Sequence, residues 1–136
     1  MTSAVLHQGS CLCGAVRYEV TAPLQAASHC HCSMCRKAHG AAFGSYATVR
    51  REHHRFVQGQ SQVRSYPSSP HVTRQFCSVC GSPLLWHSSA AHADWVAVPL
   101  GTLDTPYTSP PQKHIHVASK AGWVIICDGY PQQAEG

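Results

Sequence analysis

Short alternating or apolar runs, broken every few positions by glycine, proline or serine, recur along this chain. Val16, Tyr18 and Val20 alternate with Arg17 and Glu19. That period of two puts three apolar side chains on one face of a half-buried strand. Phe43 to Val49, Phe56 to Val57, Val72 to Phe76, Leu84 to Trp86, Trp95 to Leu100, Ile115 to Val117 and Trp123 to Ile126 are further strand candidates. Turn residues punctuate the intervals, as at Pro67, Pro70, Gly81-Ser82-Pro83 and Pro110-Pro111. Only Ser33 to His39 reads as helix, with Ser33 placed to cap one or two turns and Gly40 to end them. No stretch holds a 3.6-residue period over a dozen positions. The pattern predicts a mainly β protein of short strands, with its chemistry carried on loops and short helical turns.

A chain of 136 residues is long enough for one domain with its own core, and residues 1–136 are read as a single unit with 133–136 as a frayed tail. Charged residues make up 12% and apolar ones 43%, a balance that favours folding over disorder. The net charge of +4 comes from scattered Arg and Lys, apart from a cluster at Arg50 to Arg55 that reads as a solvated turn. A nucleic-acid partner would need more basic residues on one face and is not expected. Eleven histidines add positive charge as pH falls. The first nine residues hold no apolar run fit for a signal peptide, and no later stretch is long and apolar enough to span a membrane. A cytoplasmic, reducing setting is therefore the expectation, and there clustered cysteines bind metal more often than they pair.

Seven of the eight cysteines fall into three groups: Cys11-Leu12-Cys13, Cys30-His31-Cys32-Ser33-Met34-Cys35 and Cys77-Ser78-Val79-Cys80. The last has the spacing of a zinc knuckle, with Gly81 allowing the backbone to turn back beneath the ion. Cys11 and Cys13 are the natural donors to complete it. Four thiolates make a closed site that stabilises a fold and leaves no position for substrate. Cys30, Cys32 and Cys35 can grip a second ion from one side, and no fourth cysteine is evident. Cys127, in an apolar run, reads as a buried small hydrophobe. An incoming thiol or water can then take the open position, and zinc lowers the pKa of what it binds. Other readings stand beside this one. His29, His31 or His39 can close the second site as Cys₃His, although His31, flanked by two ligands, would point away. Cys32 and Cys35 can act as a redox pair, but the βαβ setting of such motifs is missing. A disulfide scaffold is a further reading, against which a bridge within Cys11-Leu12-Cys13 would be strained.

Taken in order, these groups resemble the glutathione-dependent formaldehyde-activating enzyme family, whose domain also occurs in centromere protein V. The resemblance runs over about Gly9 to Gln132. It is carried by Gly9 to Tyr18 (GSCLCGAVRY), His29 to Gly40 (HCHCSMCRKAHG), Arg74 to Pro83 (RQFCSVCGSP), His114 to Trp123 (HIHVASKAGW) and Asp128 to Pro131 (DGYP). It implies a β-tent fold of coiled antiparallel sheets. It implies two zinc ions, a structural one on Cys11, Cys13, Cys77 and Cys80 and a second on Cys30, Cys32 and Cys35. It also implies glutathione as co-substrate in a carbon–sulfur lyase reaction that joins a small thiol to an aldehyde, as in S-hydroxymethylglutathione. His116 stands where the family pattern has an aromatic such as Trp, and His39 and Cys127 also depart from it.

For such chemistry a thiolate must meet an electrophilic carbonyl and an oxyanion must gain a proton. His29, His31 and His39 are candidates for the proton transfer by their nearness to the ligands, or else solvated side chains. Arg36 and Lys37 can meet glutathione's carboxylates, or else be exposed helix charges. Trp86, Trp95 and Trp123 read as core. The competing function is a thiol-binding or protein-interaction module in which the second zinc binds without turnover.

Overall fold

The structure, a computed structural model, describes residues 4–136. In chain order the strands are β1 (His7–Ser10), β2 (Arg17–Val20), β3 (Ala27–Cys30), β4 (Gly44–Arg50), β5 (His54–Gln58), β6 (Val63–Ser69), β7 (Val72–Cys77), β8 (Pro83–Ser88), β9 (Trp95–Pro99) and β10 (Gln112–Ile115). One α-helix, α1 (Ser33–His39), and four single 3₁₀ turns complete the described residues. The strands form two sheets. A three-stranded one runs β1-β2-β5 and a seven-stranded one runs β10-β3-β4-β9-β8-β7-β6. All pairings are antiparallel except β10 with β3. No helix is long and apolar enough to cross a membrane among the described residues.

The alternation read at Val16 to Val20 is realised in β2, whose Tyr18 and Val20 are fully buried. They meet Ala47 and Val49 of β4, Leu85 of β8, and Val96 and Val98 of β9, so the main core lies between the two sheets. Burying side chains of this size contributes about 1.5–3 kcal/mol each. A second cluster gathers Val16 and Leu84 around Cys11 and Cys77, and a third places Tyr46 and Ala97 against Cys30 and Cys35. Each cysteine group thus sits on an apolar floor.

Several expectations are corrected. Ser33 does not cap α1: Cys32, in extended backbone, does so by accepting the Cys35 N–H on its sulfur. Gly40 ends the helix in the left-handed region, its N–H bonded to the Arg36 carbonyl. Trp123 to Ile126 forms no strand, and Trp123 and Ile125 are 74% and 87% exposed. The free edge of β10 that this run would need is taken by the end of the chain, where Gln132 bridges His114. Nor is that end loose. The His116, Val117 and Ala118 N–H groups bond to the carbonyls of Glu135, Gln133 and Ala134. Cys127 is exposed rather than buried. The strand foreseen at Ile115 to Val117 stops at Ile115, because His116 turns left-handed at φ 55° and starts a 3₁₀ turn.

Candidate metal centre

The first cysteine group is assembled where the small sheet packs against the large one, with Cys11 and Cys77 in one buried cluster. Cys11 follows the last residue of β1, the turn after it delivers Cys13, and the end of β7 and its turn deliver Cys77 and Cys80. All four sulfurs lie within 4.8 Å of one another. Cys13 Sγ is 3.6 Å from that of Cys11 and 3.9 Å from that of Cys77. A tetrahedron with Zn–S bonds of about 2.3 Å has edges of about 3.8 Å, so the donor set fits zinc. The spacings are far too long for disulfides, and all eight cysteines are free. The Val16 and Val79 N–H groups point at the Cys11 and Cys77 sulfurs, at 3.3 and 3.4 Å, as suits thiolates. Gly81 follows the knuckle with φ +81°, and a Cβ there would meet nothing within 4 Å. Its backbone conformation, rather than crowding against the protein, calls for glycine.

The second group comes from one short stretch. Cys30 ends β3, Cys32 caps α1 and Cys35 sits in the first helical turn, so the cap geometry brings the sulfurs together. They lie within 4.8 Å of one another, and no other His, Cys, Asp or Glu among the described residues joins them. Three soft donors converging on one point fit a zinc ion with one position left open. Cys30 and Cys35 are buried. Cys35 is drawn down to about 5, first by the hydrogen bond from Cys30, against the cost of burial, and further by Arg74. Cys30, the partner that keeps its proton, is raised.

Arg74 and Tyr46 are the side chains the sequence reasoning missed. Arg74, from β7, donates from Nη2 to Cys35 Sγ at 3.6 Å, from Nη1 to Tyr46 Oη at 3.3 Å and from Nε to Ser68 Oγ at 3.1 Å. Tyr46, from β4, lies 2.5 Å from His39 Nε2. Burial holds Tyr46 above the ordinary phenol range and His39 below the ordinary imidazole range, so the phenol O–H donates to a neutral ring. Gly44 makes this contact possible, since a Cβ there would stand 2.8 Å from both rings. Arg74 had a signal in the sequence, as a lone cation facing inward along a strand three residues before a ligand. Tyr46 had none, being one aromatic among several in an apolar run.

Of the candidate histidines, only His39 enters this network. His31 is fully buried with Nε2 2.8 Å from His114 Nδ1, and His114 Nε2 is 2.8 Å from Asp128 Oδ2. The distances fit one proton pattern: His31 donates to His114, and His114 donates to the carboxylate. His31 Nδ1 is then left buried without a partner. Burial, and then the neighbouring charges of His114 and His29, keep His31 below its ordinary value. His29 is held 2.8 Å from both Ser45 Oγ and Gln112 Oε1. Neither His29 nor His31 reaches the sulfurs, so neither closes the site. Arg36 donates from Nε to the His31 carbonyl at 3.3 Å, and Lys37 is exposed on α1. A cavity of about 360 Å³ opens on Cys30, Cys32 and Cys35, and Tyr46 and Arg74 line it but Arg36 and Lys37 do not.

A mainly β domain with one four-cysteine and one three-cysteine group is thus defined by fold and site together. The family described as glutathione-dependent formaldehyde-activating enzyme matches residues 6–119, and the chain belongs to that family. A Halomonas elongata protein, provisionally named a glutathione-dependent formaldehyde-activating enzyme, is 31% identical over 90% of this chain and 82% of its own length. A crystal structure of a Rhodobacter sphaeroides protein is similar with a TM-score of 0.63 and 25% identity, covering 77% of this chain and 98% of that one.

Proposed function

We propose that this chain is a zinc-dependent carbon–sulfur lyase that makes and breaks the bond between a thiol, glutathione in the first instance, and the carbon of a small aldehyde. The reading is carried by one observation: three thiolate donors converge at a cavity that also presents Arg74 and Tyr46. A zinc ion held by Cys30, Cys32 and Cys35 would supply the positive charge that keeps an incoming thiol ionised near neutral pH. Cys11, Cys13, Cys77 and Cys80 hold the structural ion.

The chain's own groups account for the rest of the chemistry. The S–C bond forms as the carbonyl π electrons move to oxygen, and that oxygen needs a proton. Tyr46 is neutral and hydrogen-bonded, and it gives its proton to the developing oxyanion while Arg74 stabilises the charge. His39, bonded to the same phenol, positions it, and in the reverse direction the Tyr46 phenolate takes the proton back from the adduct hydroxyl. Glutathione's charged ends lie outside the cavity, where Arg36 and Lys37 on α1 offer cations. A reducing compartment such as the cytoplasm keeps both the seven ligand thiols and the substrate thiol available.

The test is zinc content per chain for wild type and Cys35→Ser, each titrated with glutathione, followed by NMR of ¹³C-formaldehyde exchanging into its glutathione adduct. Two zinc ions falling to one in the variant, with thiol binding and exchange lost together, support the reading. Saturable glutathione binding with exchange no faster than background overturns catalysis in favour of a thiol-binding module.

A further inference from the structure

Formaldehyde has two heavy atoms and needs roughly 60 Å³, twice the share of one water molecule in the liquid. The cavity at Cys30, Cys32 and Cys35 offers about 360 Å³. Met34 from α1, Val72 from β7, Trp86 from β8, Ala97 from β9 and Ile115 from β10 turn apolar surface towards it. Arg74 is its one permanently charged side chain; three of its five N–H groups already donate, to Ser68, Tyr46 and Cys35, and the two that remain cannot serve both carboxylates of a glutathione molecule as well as a reacting oxygen. No Asp or Glu lines the cavity to meet an ammonium group, and half-buried His116 is its only histidine. Glutathione carries two carboxylates and an ammonium group, and drawing them into such a space would strip their hydration without replacing it. The volume beside the sulfurs is therefore left for the other reactant.

We propose that this cavity receives the apolar substituent of an aldehyde larger than formaldehyde, so that the adduct made and broken here is a thiohemiacetal bearing a hydrocarbon chain. The inference rests on the carbon–sulfur lyase reading and narrows its substrate class. In the forward direction the thiol loses its proton, sulfur bonds to the carbonyl carbon, and the carbonyl oxygen takes a proton; nothing is oxidised or reduced. The chain of the aldehyde lies along Val72, Trp86 and Ile115, while the carbonyl oxygen faces Tyr46 and Arg74. Each methylene buried is worth about fourfold in binding, so chain length is the variable that reads the cavity.

The experiment compares glutathione adduct formation by zinc-loaded protein across formaldehyde, acetaldehyde, butanal and hexanal, each as acceleration over its own uncatalysed rate. Separately, 1-hexanol and methanol are titrated against protein labelled at the methionine methyl groups, with Met34 as reporter of occupancy independent of turnover. The expected result is acceleration that rises several-fold per methylene, a flatter dependence in Met34→Gln and Val72→Thr, and a saturable Met34 shift with 1-hexanol but not methanol. Acceleration confined to formaldehyde, with no Met34 response, overturns this inference and leaves the lyase reading standing. A rising dependence that both variants retain removes the cavity as its cause. No acceleration with any aldehyde overturns the lyase reading, and this inference falls with it.

Discussion

Arg74 Nη2 stands 3.6 Å from Cys35 Sγ, which joins the knuckle-bearing strand β7 to the open cysteine group. The same guanidinium reaches Tyr46, so one side chain touches both a ligand sulfur and the proposed proton donor. Replacing it with Gln removes a positive charge from a half-buried site while keeping hydrogen-bonding capacity. Adduct exchange is expected to fall by about 100-fold, the scale seen when one preorganised donor is lost. Lys at this position restores part of the loss, because it supplies charge without the planar fork. Zinc content of both variants checks that the effect is on chemistry rather than on metal binding.

Tyr46→Phe tests the phenol directly. The ring stays in its apolar setting against Cys30, Cys35 and Ala97, so folding and zinc content are expected to persist. Turnover is expected to drop about 100-fold, with glutathione affinity nearly unchanged. His39→Gln should fall between wild type and Tyr46→Phe, since His39 acts through the phenol. Equal thiol-binding isotherms beside unequal exchange rates would mark the two residues as chemical rather than structural.

The two cysteine groups are expected to part company under mutation. Cys77 is fully buried in the cluster that joins Cys11, Val16 and Leu84. Structural zinc sites contribute on the order of 10 kcal/mol, comparable to the whole stability of a small domain. Cys77→Ser is therefore expected to be unfolded at room temperature by circular dichroism. Cys35→Ser should keep its fold and one zinc ion, with only a modest drop in Tm.

What the sequence revealed about this site was what lies close together along the chain. Cys30-x-Cys32-x-x-Cys35 and Cys77-x-x-Cys80 are local spacings, set by a helix start and a turn, and in the structure their sulfurs lie close together. The strand at β2 was legible because Tyr18 and Val20 alternate with charged residues. β1, β3 and β6 were not, because His7 to Ser10 and Ala27 to Cys30 carry small or polar residues. β6 is an edge strand, largely exposed, that tolerates Pro67. Trp123 to Ile126 misled for the opposite reason: it is apolar enough for a strand, but the edge of β10 beside it is taken by Gln132. The Arg74–Tyr46–His39 network was out of reach because it depends on how β4 and β7 are placed across two intervening strands. The His31–His114–Asp128 chain likewise depends on the parallel pairing of β10 with β3.

His54 supplies a prediction about acid sensitivity that is independent of the metal groups. Its ring is stacked on Tyr18 at 5.1 Å and set edge-on to Phe56 at 5.0 Å, and its Nε2 is buried without a partner. Burial brings its pKa down to about 4, against about 6.5 for an unfolded chain. Between those values the unfolded chain binds a proton that the folded chain does not. Stability therefore rises with pH across this window. The contribution is fully present above pH 6.5 and is lost as pH falls towards 4. The gap corresponds to about 3 kcal/mol. His54→Phe keeps the aromatic packing and removes the titration, so urea midpoints for zinc-loaded wild type and variant should converge near pH 7.5. By pH 5 they should separate, with wild type the weaker. Acid also strips zinc by protonating cysteine ligands, but that loss is common to both proteins. If the two midpoints fall in parallel, the acid sensitivity resides in the cysteine groups and His54 is silent.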